Sequence, residues 1–212
     1  MIGGLPSIRG AIAEEVRSLF REDGQGAAVY EGPGLFAEGS VIRDVHGDVA
    51  TMMIGGIAAL LLQMLHPLAL AGVWDHSDFR RDMQGRLRRT ARFIATTTYG
   101  NLAQAEAAID RVRRIHDHVT GTLPDGTPYR ADDPHLLGWV HITEAVSFLG
   151  AYIRYREPLM GRARQDRYFA EIAQINERLG AVDLPTDRRS AMAYMEGYRS
   201  QLLRDERTDA AR

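Results

Sequence analysis

The stretch Asp133-Pro-His-Leu-Leu-Gly-Trp-Val-His-Ile-Thr-Glu-Ala-Val-Ser-Phe-Leu-Gly-Ala-Tyr-Ile-Arg-Tyr155 reads as one long helix and sets the fold class. Asp133 suits the N-cap and Pro134 the first turn, where a missing N–H costs nothing. Beyond them apolar residues fall on almost every side, and a helix of that kind has to be enclosed by other helices. The neighbouring sequence supplies them. Leu102 to Val119 carries Ala105, Ala108–Ile109, Val112 and Ile115 at helical spacing, with Asn101 as its cap and Gly100 closing the helix before it.

Further out, Val41 to His46 forms a turn of helix, and Asp48 caps an apolar helix that breaks near His66–Pro67, because proline removes a donor and crowds the preceding turn. A helix from about Phe79 to Tyr99 is capped by Asp75 or Ser77. Thr120 to Asp133 is a loop built on Pro124-Asp-Gly126. Amphipathic helices follow near Gly161–Leu179 and Pro185–Leu203. Before all of these, Ser7 caps a helix to about Arg21 with Ile8, Ile12, Val16 and Leu19–Phe20 on one face, and Glu22 to Gly39 is a glycine-rich loop. Arg204 to Arg212 is a charged tail expected to fray. Strand signals are almost absent. The expectation is a single all-α domain of seven or eight helices spanning residues 1–212.

Composition narrows the chemistry. The chain has 212 residues, 45% of them hydrophobic, enough to fill a sizeable core, and its net charge of −2 offers no general attraction to nucleic acid or to an anionic membrane. It contains no cysteine, which excludes disulfides, thiolate haem ligation and iron–sulfur clusters. Every basic residue is arginine, so no lysine Schiff base can form. The most apolar run, Met52 to Val73, is long enough to raise the question of a membrane span. Gly55, Gly56, Gln63, His66 and Pro67 interrupt it, favouring a buried helix. No secretory signal is evident at the N-terminus, and a cytoplasmic protein without an integral span is expected.

Six of the seven histidines lie between Leu60 and His141. His116 follows Val112 by four residues and faces the apolar stripe, whereas His118 points about 200° away toward solvent, so the two cannot share a metal. By spacing, His116 is either an iron ligand or a core histidine satisfied near a helix end. His141 is buried and needs a partner, which could be a carboxylate, a carbonyl, a propionate or iron. His66 sits where the kink frees a carbonyl, His76 belongs to a capping loop, and His46 and His135 are expected to be exposed. Arg86-Leu-Arg-Arg-Thr90 places three guanidinium groups in one turn, with Arg86 and Thr90 on one face. Such a run is either a solvated face or an anion site. No phosphate loop, Ser-His-Asp arrangement or HExxH motif is present.

Four ordered strings together resemble the MpaB/rubber-oxygenase family. They are His66-Pro-Leu-Ala-Leu-Ala-Gly-Val-Trp-Asp-His-Ser-Asp-Phe79, Gly85-Arg-Leu-Arg-Arg-Thr90, Arg113-Arg-Ile-His-Asp-His-Val119 and Gly121-Thr-Leu-Pro-Asp-Gly-Thr-Pro-Tyr-Arg-Ala-Asp-Asp-Pro134, completed by Trp139-Val-His141. The resemblance covers about residues 40–200. It implies a globin-like helical core holding haem b, and an oxygenase using dioxygen on an apolar alkene, isoprenoid or lipid-like. By motif, His116 matches the haem-iron ligand, His141 a histidine supporting haem, and Arg86 and Thr90 polar residues opposite the ligand. Arg89, a further haem-side residue, stands where latex clearing proteins place a lysine. A guanidinium has no lone pair to offer iron, so a lysine-capped haem is not available. The base for proton abstraction is unassigned among Asp75, Asp78 and Glu144, and the chain is short at its C-terminus for the family. Leu61, Leu65, Phe93, Val112 and Ile115 are expected to wall the pocket. The alternative is a helical protein that binds haem or another hydrophobic ligand without catalysis. The oligomeric state is open between monomer and homodimer.

Overall fold

A computed structural model describes residues 32–204 and 206–210, so the expected helix from Ser7 to Arg21 lies outside the described residues. The architecture is all-α. In chain order the helices are α1 (Val41–Gly47), α2 (Val49–Gln63), α3 (Pro67–His76), α4 (Met83–Tyr99), α5 (Leu102–His116), α6 (Pro134–Tyr155), α7 (Arg162–Leu179), α8 (Arg188–Gly197) and α9 (Glu206–Ala210), with a 3₁₀ turn at Arg199–Gln201. The globin-like arrangement implied by the resemblance remains an expectation.

Helix α6 is the axis. Asp133 accepts from the amides of His135 and Leu136, and Pro134 occupies the first turn. Trp139, Ile142, Ala145, Phe148 and Leu149 are buried along α6, enclosed by α2, α7 and α8. It is also the one described helix long and apolar enough to cross a membrane, but two-thirds of that stretch is buried inside the fold, as in a core helix.

Helix α2 runs antiparallel against α6. Arg156 pairs with Asp48 at 3.7 Å at one end, and Gln63 donates to the Val140 carbonyl at 3.2 Å at the other. Close approach is possible because Thr51, Gly55 and Ala59 form a stripe of small buried residues on α2. A Cβ built on Gly55 would lie 2.8 Å from the Phe148 Cα and from the Ser147 oxygen.

The core continues through α1 and α7, with Val41, Ile42 and Val45 meeting Tyr168, Phe169 and Ile172. Glu171 accepts the Ile42 amide at 2.7 Å, supplying a partner for a helix-start donor that α1 cannot satisfy itself. Asn101 and Gln104 form a reciprocal cap on α5. Helix α7 ends at Gly180, whose φ of 105° only glycine adopts readily.

Four expectations need correction. His46 is buried, with Nδ1 hydrogen-bonded to Thr98 Oγ1 at 2.8 Å and Nε2 to Tyr168 Oη at 3.2 Å. Helix α1 is too short to reveal its buried face by periodicity. Helix α4 starts at Met83, because Asp82 accepts the Gly85 amide at 2.7 Å and takes the cap from Asp75 and Ser77. The loop after α5 contains a small hairpin, β1 (Thr120–Thr122) with β2 (Pro128–Arg130), turned by Gly126 at φ 90°. The C-terminal segment is not wholly frayed. Leu203 donates to the Leu65 carbonyl, Glu206–Ala210 is helical, and Arg207 lies over the Trp74 ring.

The two adjacent glycines of α2 separate packing from helix propensity. Gly55→Ala is expected to destabilise the fold by about 1–3 kcal/mol through backbone overpacking. Gly56→Ala meets only the edge of Phe148 at 3.7 Å and should be neutral or stabilising by up to ~1 kcal/mol. Urea midpoints of the two variants check this, and equal shifts would contradict the packing account.

Candidate active site

A cavity of about 280 Å³ opens where the end of α2, helix α3, the start of α4, the end of α5 and the first half of α6 converge. Its walls are mostly apolar, including Leu60, Met64, Leu68, Val73, Phe79, Met83, Ile115, Val119, Leu137 and Val140. Set into them are Gln63, His76, Arg86, His116, Tyr129 and His141. Helix α2 ends at Gln63 and the chain re-enters α3 at Pro67 with His66 as its cap, and that break leaves the opening.

The two histidines singled out by motif meet in this space from different helices. His116 is the last residue of α5, and its Nδ1 is buried without a hydrogen-bond partner. His141 lies mid-α6 and is buried, and its Nε2 is likewise without a partner. Loss of hydration lowers the pKa of both rings, to about 3 for His141, which favours in each the neutral imidazole that can bind a metal or accept from a donor. The buried His46, by contrast, uses both nitrogens and has nothing left to offer. His76 is committed through Nε2 to the Thr120 carbonyl, and His118 through Nδ1 to the Arg114 carbonyl. The His66 Nδ1 has no partner, but its ring packs beside Trp139 and Tyr198 rather than on the cavity wall. Among the described residues no group of three His, Cys, Asp or Glu side chains is arranged to hold a metal ion.

Of the arginine run only Arg86 reaches the cavity. Its Nη1 donates to Ser77 Oγ at 2.8 Å, and burial lowers its pKa. Arg89 is exposed and pairs with Asp82 at 3.5 Å, and Thr90 is exposed. Among the residues expected as walls, Ile115 lines the cavity; Leu61 is exposed, and Phe93 and Val112 pack against the main core.

Two polar residues complete the site, and the sequence pointed to them only weakly. Gln63 Nε2 reaches Glu144 Oε1 at 3.5 Å as well as the Val140 carbonyl, and Glu144 Oε2 lies 3.9 Å from His141 Nδ1. Loss of hydration raises the Glu144 pKa from 4.5 to about 7, against the smaller opposing effects of Gln63 and Arg86. Of the three candidate carboxylates, Asp75 is committed to the Tyr129 hydroxyl at 2.7 Å, and Asp78 is exposed and does not line the cavity. Glu144 stands behind the cavity wall, beside the lining residues Gln63 and His141. The available signals were one polar residue in an otherwise apolar α2 and a carboxylate three residues after His141.

A family model described as the ER-bound oxygenase mpaB/B'/Rubber oxygenase catalytic domain matches residues 43–212. The chain belongs to the mpaB/rubber oxygenase family. The match runs past the expected boundary near residue 200 and takes in the C-terminal segment that docks beside α3. The family is an oxygenase catalytic domain, which implies oxidoreductase chemistry on a substrate with dioxygen. No curated protein matches the chain, and no solved structure does.

Glu144 gives a pH signature for this member of the mpaB/rubber oxygenase family. Because its folded pKa is raised, native Glu144 keeps its proton after the unfolded chain has lost it. Its contribution to stability is therefore fully present below about pH 4.5 and is lost as pH rises to about 7. The full effect is at most roughly 3 kcal/mol, reduced because part of the side chain reaches water. Glu144→Gln should be more stable than the parent at pH 8 and equal to it near pH 4, by urea denaturation at each pH. A difference that does not change with pH would show that the carboxyl is not desolvated.

Proposed function

We propose that this oxygenase domain is haem-dependent and acts with dioxygen on a small apolar alkene, isoprenoid or lipid-like. The observation that carries the reading is the pair of buried imidazole nitrogens, His116 Nδ1 and His141 Nε2, both without partners on one apolar cavity. A buried polar atom left unpaired costs about 1–3 kcal/mol, and two on one cavity indicate a ligand that takes them up. Neutral imidazole is an established haem-iron donor, and the chain has no cysteine to compete. The residues present therefore fit haem b.

In this reading His116 holds the iron, and His141 steadies the group from α6, with Glu144 beside its other ring nitrogen. Bound haem supplies the centre at which dioxygen is activated. The chain's own contribution is enclosure and orientation. Leu60, Met64, Phe79, Met83 and Val140 keep water from the reacting chain of the substrate. Arg86, held by Ser77, presents a fixed positive charge to whatever negative charge develops nearby. Arg89 and Thr90 are exposed, so a role for them at the haem requires the start of α4 to close further over the cavity. That exposure favours a second reading, in which the chain carries haem or another hydrophobic ligand without turning it over.

His116→Ala should lose most of its haem and its Soret band while keeping parental helical circular dichroism, since His116 ends α5 and no helix continues through it. A pyridine haemochrome assay on parent and variant gives the haem content. An unchanged content and spectrum would exclude His116 as the ligand.

A further inference from the structure

Arg86 is the one charged side chain on the cavity wall, and the described protein gives it little to neutralise it. Arg86 is half-buried, and a guanidinium, with five N–H donors, is normally paired with a carboxylate where it is withdrawn from water. Here one hydroxyl, Ser77 Oγ, accepts from Nη1, and no carboxylate among the described residues reaches ion-pair distance. Glu144 acts on Arg86 only through space, and Arg89 opposes it with like charge. Asp82, one turn away, is committed to the Gly85 amide and to Arg89. Arg86 also lies in the first turn of α4, where the helix dipole adds positive rather than negative potential.

We propose that Arg86 is an anion anchor, and that the cavity binds an amphipathic ligand made of an apolar skeleton ending in a carboxylate. This rests on the reading that the cavity is the ligand site. The cavity holds about 280 Å³ and opens to solvent, so a ligand larger than that space can extend from its mouth. The walls around Leu68, Val73, Met83 and Val140 offer no polar partner to the rest of such a chain. Desolvation raises the Glu144 pKa to about 7, so its carboxyl repels an incoming carboxylate less than an ordinary glutamate would. The same chemistry has two sources, a free carboxylic acid or the propionate of a bound haem.

The test compares Arg86→Gln and the charge-preserving Arg86→Lys with the parent by isothermal titration calorimetry at pH 7. The probes are geranic acid and geraniol, which share one skeleton and differ at its end, together with haem and haem dimethyl ester. A free-acid site predicts that Arg86→Gln loses about ten- to hundredfold in affinity for geranic acid and nothing for geraniol, with Arg86→Lys recovering part of the loss. A propionate site predicts the same loss for haem and none for its dimethyl ester. If Arg86→Gln keeps parental affinity for both geranic acid and haem, the anchor is overturned. Geraniol separates the two layers of the argument. Geraniol binding without any acid dependence on Arg86 sinks the anchor alone, whereas failure of every probe to bind sinks the cavity reading with it.

Discussion

The close contact of α2 on α6 is the constraint on which the site depends. Without a side chain at Gly55, the α2 backbone settles against Ser147 and Phe148, and the small faces of Thr51 and Ala59 extend that contact along the helix. An antiparallel pair packed this tightly has a fixed register. That register brings Gln63, four turns from the start of α2, over Val140 and Glu144. The helix then stops, because Pro67 cannot continue it, and the space left beyond Gln63 is the cavity. The packing that stabilises the fold therefore also places the polar end of the site.

Three histidines, His46, His116 and His141, show how environment separates structure from chemistry within one residue type. His46 lies between Thr98 and Tyr168 with both nitrogens bonded, edge-on to Phe148 and Tyr168, and it acts as a polar rivet between α1, α4 and α7. His141 is buried and His116 half-buried, and each has one buried nitrogen left over. The cost of leaving a buried acceptor unmade is comparable to that of losing a hydrogen bond, and it falls on the same cavity twice. An arrangement maintained at that cost is a reason to look for a ligand, and burial alone is not.

Much of the fold was legible because its signals are local. The caps at Asp48, Asn101 and Asp133 and the break at Pro67 follow from single side chains meeting single amides, and they fall where the sequence indicates. The errors arose where a rival local signal or a tertiary contact decided the outcome. Asp82 outcompeted Ser77 for the cap of α4, and His46 is buried only because α7 covers a helix too short to display a period. The site was legible in part for the same reason. His116, His141 and Arg86 carry motif information and converge, whereas the relation of Gln63 to Glu144 spans 81 positions and exists only once α2 lies on α6.

The cavity also shows why one arginine among many becomes chemically distinctive. All 26 basic residues are arginine, and exposed pairs such as Arg89 with Asp82 are worth little. Arg86 differs from Arg89 by less than one helical turn, yet it points inward, where the apolar walls leave its field unscreened. Glu144 is the carboxylate whose charge is felt at Arg86, and desolvation also raises the Glu144 pKa to about 7, so that carboxyl is only partly ionised at neutral pH. Each group thus limits how far the other can be neutralised within the protein. A half-buried positive charge whose internal counter-ion is only partly ionised leaves a residual field in the cavity, and the direction of that field favours an anionic group beside Arg86 over a neutral one.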